Sequence, residues 1–111
     1  MAGDLSYFYI PVADQQRAGV FFSALLGWDL EERPGGDGYQ IGNTQPHGGI
    51  VEGREGNRPH VYFQVDDIDH AVERITQLGG TASEVDRFGE GASAECTDDQ
   101  GTVFGLFSPA S

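Results

Sequence analysis

Two stretches of the chain alternate side-chain character with a period of two and then switch to a helical period. Along residues 7–12, Phe8, Ile10 and Val12 share one face of an extended segment, with Tyr7, Tyr9 and Pro11 on the other. Along residues 60–65, Val61, Phe63 and Val65 stand against His60, Tyr62 and Gln64 in the same way. An aspartate follows each stretch where a helix needs a side-chain acceptor for its first free N–H groups, Asp14 and Asp67. Beyond Asp14, the residues Ala18, Phe21, Phe22, Leu25 and Leu26 recur at i, i+3, i+4, i+7 and i+8, which predicts an amphipathic helix buried along that stripe and stopped by Gly27. Beyond Asp67 the stripe is narrower, Ala71, Val72, Ile75 and Leu78, ended by Gly79-Gly80, with Glu73, Arg74 and Gln77 on the solvated face. Three short strand-like stretches separated by Gly, Pro and Asp follow each helix, at about 28–33, 38–43 and 48–53 and again at about 81–86, 92–97 and 102–107.

The two halves therefore read as one pattern written twice. Asp14 and Asp67 are 53 positions apart (67 − 14), and the same offset sets Tyr9 on Tyr62, Leu25 on Leu78, Gly27 on Gly80 and Gly48 on Gly101. Each half is a βαβββ module, expected at about residues 5–54 and 58–108. The predicted fold class is α+β. A four-stranded sheet with one helix on one face leaves its other face bare, and two such modules form curved mixed sheets whose bare faces enclose a cleft.

Composition narrows what such a cleft holds. At 111 residues the chain fits one domain, and 38% apolar residues suffice for a core. Eighteen acidic against six basic residues leave a formal charge of −12, which repels nucleic acid and anionic membrane surfaces and favours neutral or cationic partners. All six basic residues are arginine, so Schiff-base lysines, pyridoxal phosphate anchoring and Walker A loops are excluded. Cys96 is the only cysteine, which rules out an intrachain disulfide and fits a reducing cytoplasm. No targeting segment is expected, since no basic residue precedes Arg17, and the longest nearly apolar stretch, Gly19 to Trp28, is far too short to span a membrane.

Three segments then carry a family resemblance. Ile10-Pro11-Val12-Ala13-Asp14 leads through Phe21-Phe22 to Leu26-Gly27-Trp28, Val65-Asp66-Asp67-Ile68-Asp69 leads through Ala71 to Leu78-Gly79-Gly80, and Asp98-Asp99-Gln100-Gly101 leads to Phe104-Gly105-Leu106. Together they resemble the vicinal oxygen chelate superfamily of glyoxalases, bleomycin-resistance proteins and extradiol dioxygenases, over nearly the whole chain; the last segment is similar to that family's Asp-Pro-Asp-Gly turn, with Asp99 in place of proline. The resemblance implies paired modules, a homodimer, and, in metal-dependent members, ligands on the first and last strand of each module. Matched by spacing, those positions here are Tyr7, Glu52, His60 and Gly105. Gly105 has no side chain and Tyr7 is an unusual ligand, so no metal cofactor is expected, and His60 with Glu52 is the remnant on which a divalent ion would depend.

Two functional readings follow. In the first, the protein binds a small, aromatic or largely apolar metabolite or antibiotic, without a metal, against Tyr7, Tyr9, Tyr62, Gln64, Val103, Gly105 and Phe107. In the second, it is a lyase, isomerase or cyclase-like enzyme in which His60 and Glu52 act as an acid and base pair. Each has a plainer counterpart: the aromatics can form a second core, and a lone histidine after Pro59 can be a partly exposed polar residue without chemistry. His47 and His70 are expected in solvent, Cys96 in a small buried sheet position.

Overall fold

Asp14 and Asp67 end a strand and begin a helix in the same way. Both take extended backbone angles (φ −136°, ψ 108° and φ −138°, ψ 108°), and both carboxylates accept helix N–H groups, Asp14 from Arg17 and Asp67 from Asp69 and His70. The computed structural model describes residues 2–53 and 58–110, which divide into two compact units, Tyr7–His60 and the rest of the described chain. Residue 54, the expected end of the first module, lies outside the described residues.

In the unit Tyr7–His60, strand β1 (Leu5–Val12) feeds helix α1 (Gln15–Leu26), which ends at Gly27 in the left-handed conformation that only glycine adopts without cost (φ 70°). Strands β2 (Leu30–Glu32), β3 (Gly38–Ile41) and β4 (Gly48–Glu52) follow. They lie in the order β2-β3-β4-β1, with β1 and β4 parallel and the other pairs antiparallel. In the other unit, β5 (His60–Gln64) feeds α2 (Ile68–Gln77), followed by β6 (Thr81–Ala82), β7 (Asp86–Phe88), β8 (Gly91–Thr97) and β9 (Val103–Pro109). The order β6-β8-β9-β5, with β5 and β9 parallel, repeats the first unit. The sequence pattern missed β7, which pairs with β8 across the two-residue Gly89-Glu90 connection.

The register shows where the 53-residue offset stops. It holds at the helix caps, but Gly49 lies opposite Tyr9 and Gly105 opposite Tyr62, which makes those glycines 56 apart (105 − 49). Their antiparallel neighbours Gln40 and Glu95 are 55 apart (95 − 40). Residues added around the β7 hairpin and the β8–β9 turn account for the drift.

Each sheet packs the expected strand phase under its helix. Phe8 and Val12 join Ala18, Ile41 and Ile50, while Phe63 and Val65 join Ile68, Ala92, Ala94, Cys96 and Leu106. The predicted stripe of α1, however, is only partly buried. Ala18 and Phe22 turn inward, but Phe21, Leu25 and Leu26 are 60%, 64% and 51% exposed. Gly19 is buried instead, so close to the Tyr39 ring that a Cβ there would stand 3.1 Å from Cε2. Phe22 stacks on Trp28 with centroids 5.3 Å apart. With Tyr39 filling the space beneath Gly19, only a small residue fits there, and of the large apolar side chains of α1 Phe22 turns inward while Val20, Phe21, Leu25 and Leu26 turn outward.

Candidate functional site

The predicted ligand-binding residues lie on the strand phase that neither helix covers. In β1 this phase is Tyr7, Tyr9 and Pro11, with Gly49 and Gln40 continuing the row of Tyr9, and Val51 and Gly38 that of Pro11. The His60 imidazole lies flat on the Tyr9 ring, with centroids 5.0 Å apart and planes 6° from parallel. Tyr9 is buried and Tyr7 and His60 are half-buried. Two predicted residues are thus brought together, a ring and an imidazole in face contact.

In the second unit the corresponding rows are Tyr62, Gly105 and Glu95, and Gln64, Phe107 and Ser93. The Tyr62 ring covers Gly105, and a Cβ at that position would overlap it. The glycine therefore makes room for a neighbouring side chain, which leaves no space above it for an approaching ligand. Tyr62 is itself buried, and the half-buried Phe107 stacks on Phe88 at 6.1 Å. Val103 lies in the same phase at the exposed start of β9. The main chain of Gln64 is held at both ends, its N–H donating to the Asp4 carbonyl (2.8 Å) and its carbonyl accepting from the Gly3 N–H (2.7 Å).

Glu52 does not join these residues. It lies opposite Val12, in the phase that faces the helix, and its Oε2 accepts the Gln15 N–H at 2.9 Å. Pairing it with His60 assumed that the 53-residue offset reached β4; the drift to 56 puts Gly49, not Glu52, in the place of Gly105. Glu52 caps α1, and the acid and base pair loses one member.

Glu95 is a carboxylate on the uncovered phase that sequence reasoning did not single out. It is exposed beside Gly105, and the alternation of Ala92, Ala94 and Cys96 with Ser93, Glu95 and Thr97 carried the signal. Glu95 also acts on Cys96, whose thiol is pushed up to about 11, first by burial and then by the neighbouring carboxylate. His47 and His70 are exposed, as expected. Asp98 holds the turn before β9: its Oδ1 accepts from Thr102 N–H (3.0 Å) and Gln100 N–H (2.8 Å), and these bonds, Thr102 first, lower its pKa below the ordinary carboxylate value.

The positions that would hold a metal do not fit one. Gly105 offers no donor and is covered by a ring, and the Glu52 carboxylate is engaged by α1. Among the described residues no three of His, Cys, Asp and Glu stand close enough to share an ion.

A family model described as a glyoxalase-like domain matches residues 7–107. The chain belongs to that family. No curated protein sequence matches it. Solved structures similar to this glyoxalase-like protein include methylmalonyl-CoA epimerase from Mycobacterium tuberculosis, with a TM-score of 0.71 and 17% identity over 98% of this chain and 89% of that one. A hypothetical protein from Bacillus halodurans C-125 reaches a TM-score of 0.76 at 12% identity, covering 100% of this chain and 97% of its own. A glyoxalase/bleomycin resistance protein/dioxygenase superfamily member from Vibrio splendidus 12B01 has a TM-score of 0.68 at 15% identity, over 96% and 100%. At these identities the likeness is one of fold, and the fold is that of the glyoxalase, bleomycin resistance and dioxygenase superfamily. Among the described residues no helix is long and apolar enough to cross a membrane.

Proposed function

We propose that this glyoxalase-like protein binds a small organic molecule, largely apolar or aromatic and neutral or cationic, on the strand faces that its helices leave uncovered, and does so without a metal. The observation that supports this most is what stands on those faces: the half-buried Tyr7 and His60 in one unit, and the half-buried Gln64 and Phe107 in the other, give ring surface edged by hydroxyl, imidazole and amide groups. One similar structure is methylmalonyl-CoA epimerase in complex with methylmalonyl-CoA. A CoA ester is polyanionic, however, and a chain of charge −12 with Glu95 beside Gly105 disfavours such a ligand. A metabolite or antibiotic of neutral or positive charge suits this surface better. The protein acts as a homodimer in this reading.

The test is native mass spectrometry of protein purified from cells, followed by titration of the copurifying molecule with and without EDTA. Binding unchanged by EDTA, and weakened about 5- to 30-fold by Phe107→Ala, on the scale of one aromatic contact, is the expected result. Loss of binding on chelation, or a ligand carrying several phosphates, overturns the reading.

A further inference from the structure

The outward face of α1 is apolar where a solvated helix is polar. Val20, Phe21 and Leu25 are 73%, 60% and 64% exposed, and Ala24 completes a continuous stripe with them. Four large side chains, counting Leu26, offer on the order of 400 Å² of apolar surface, at the upper end of what a monomer normally leaves in water. Beside this ridge lies a shallow, open depression of about 440 Å³ lined by Gln16, Gly19, Val20, Ser23, Leu30 and Tyr39. Its floor is open because Gly19 has no side chain where it meets the Tyr39 ring, and Ser23 beside it is small.

We infer that this face is where a second copy of the chain docks, α1 against α1 about a two-fold axis. The inference rests on the homodimer reading above and adds the surface. Three features select a second copy over another occupant. A two-fold contact is self-complementary, and α1 carries both halves of one: the Phe21–Leu25 ridge, an i, i+4 row, and the shallow depression beside Val20 against which such a row can lie. The charge distribution permits it, because α1 has no carboxylate from Gln15 to Leu26, so two molecules of charge −12 meet there without opposing acidic side chains across the stripe. The ends of the stripe complement each other, with Arg17 exposed at one and Asp29 exposed at the other. An antiparallel contact sets each Arg17 against the Asp29 and the helix C-terminus of its mate. The doubled apolar area approaches the ~1,000 Å² total that specific interfaces need, so the expected dimer dissociates in the micromolar range.

Sedimentation of the full-length chain across a concentration series tests this. The wild type is expected to dimerise, and Phe21→Glu to raise the dissociation constant at least ~100-fold, because the substitution enters the contact twice. Its circular dichroism should be unchanged, since the residue is exposed. Leu78→Glu, on an exposed apolar residue outside α1, is expected to leave the dimer intact. Arg17→Asp and Asp29→Arg are each expected to weaken it, and the double variant to restore it. A wild type that stays monomeric at 100 µM overturns both the homodimer reading and the surface, whereas a dimer that survives Phe21→Glu, or that Leu78→Glu breaks, overturns the surface alone.

Discussion

Helices α1 and α2 occupy the same place in two copies of one βαβββ unit, yet they treat water in opposite ways. The outward side of α2 carries Asp69, Glu73, Arg74 and Gln77, with Arg74 bonded to Gln77 and Asp69 to Arg87 of β7. Its inward residues Ile68, Ala71, Val72 and Ile75 are the apolar ones. In α1 the inward side is built from small residues and Phe22, and the large apolar side chains point out. The repeated sheet dictates only how closely each helix approaches. The outer surface is free to diverge, so an apolar outer face on one copy is not a requirement of the fold and calls for a separate explanation.

The largest expected effect separates two adjacent phenylalanines of α1. Phe22→Ala removes a half-buried ring stacked on Trp28 and should cost about 2–4 kcal/mol in urea unfolding. Phe21→Ala, made in dilute protein where association is negligible, should cost less than about 0.5 kcal/mol. Equal costs would mean that the helix phase is that of the sequence stripe, with Phe21 buried.

Next come the two glycines that lie beneath aromatic rings. Gly48 sits under Phe8 on the helix-facing side of its sheet, and Gly105 under Tyr62 on the uncovered side. Gly48→Ala and Gly105→Ala should each destabilise by about 1–3 kcal/mol, because the added methyl overlaps the ring and must displace it. Gly105→Ala combined with Tyr62→Ala should cost less than the sum of the single changes, since the methyl then has room. Strict additivity would show that the ring does not lie over the glycine.

The helix starts differ by a smaller amount. Asp67 alone accepts two N–H groups of α2, from Asp69 (3.0 Å) and His70 (3.2 Å), whereas α1 divides the task between Asp14, which takes Arg17 N–H, and Glu52, which takes Gln15 N–H. Asp67→Ala should therefore cost about 1–2 kcal/mol, and Asp14→Ala or Glu52→Ala about 0.5–1 kcal/mol each. Glu52→Ala leaving ligand binding intact would agree with its capping role; its abolishing binding in a still-folded protein would return Glu52 to the site.

Much of this was legible in the sequence, for reasons that differ by residue. Asp14 and Asp67, the period-2 phases of β1 and β5, and the strand stretches after each helix rest on local rules, and local rules fix strand faces and helix starts. The phase of α1 was not legible, because hydrophobicity ranks Phe21 and Leu25 above Gly19 and Ser23, and only the Tyr39 ring beneath the helix reverses that order. The place of Glu52 was lost for a different reason: the offset drifts by an even two residues across the undetected hairpin (55 − 53) and by one more across the β8–β9 turn (56 − 55), and that odd total changes the strand face on which a residue is predicted. Tyr9, Tyr62 and Phe107 were placed on the correct strand phase because they lie close to the caps or in a long unambiguous strand.

The smallest expected effect concerns the buried positions Ile41 and Cys96, 55 apart (96 − 41) and equivalent in β3 and β8. Ile41 contributes the same packing at every pH. Cys96 does not, because its thiol is pushed up to about 11 by burial and the Glu95 carboxylate. The unfolded chain ionises a thiol near its ordinary value, so the unfolded state gains where the folded state cannot. This contribution is complete below about pH 9 and is lost as the pH rises towards about 11. Cys96→Ala should lower stability at neutral pH by leaving a small void, yet flatten the alkaline fall in urea midpoints. The native thiol should also resist alkylation at pH 8 until the chain unfolds. Rapid alkylation of the folded protein would place Cys96 in contact with solvent and remove the equivalence with Ile41.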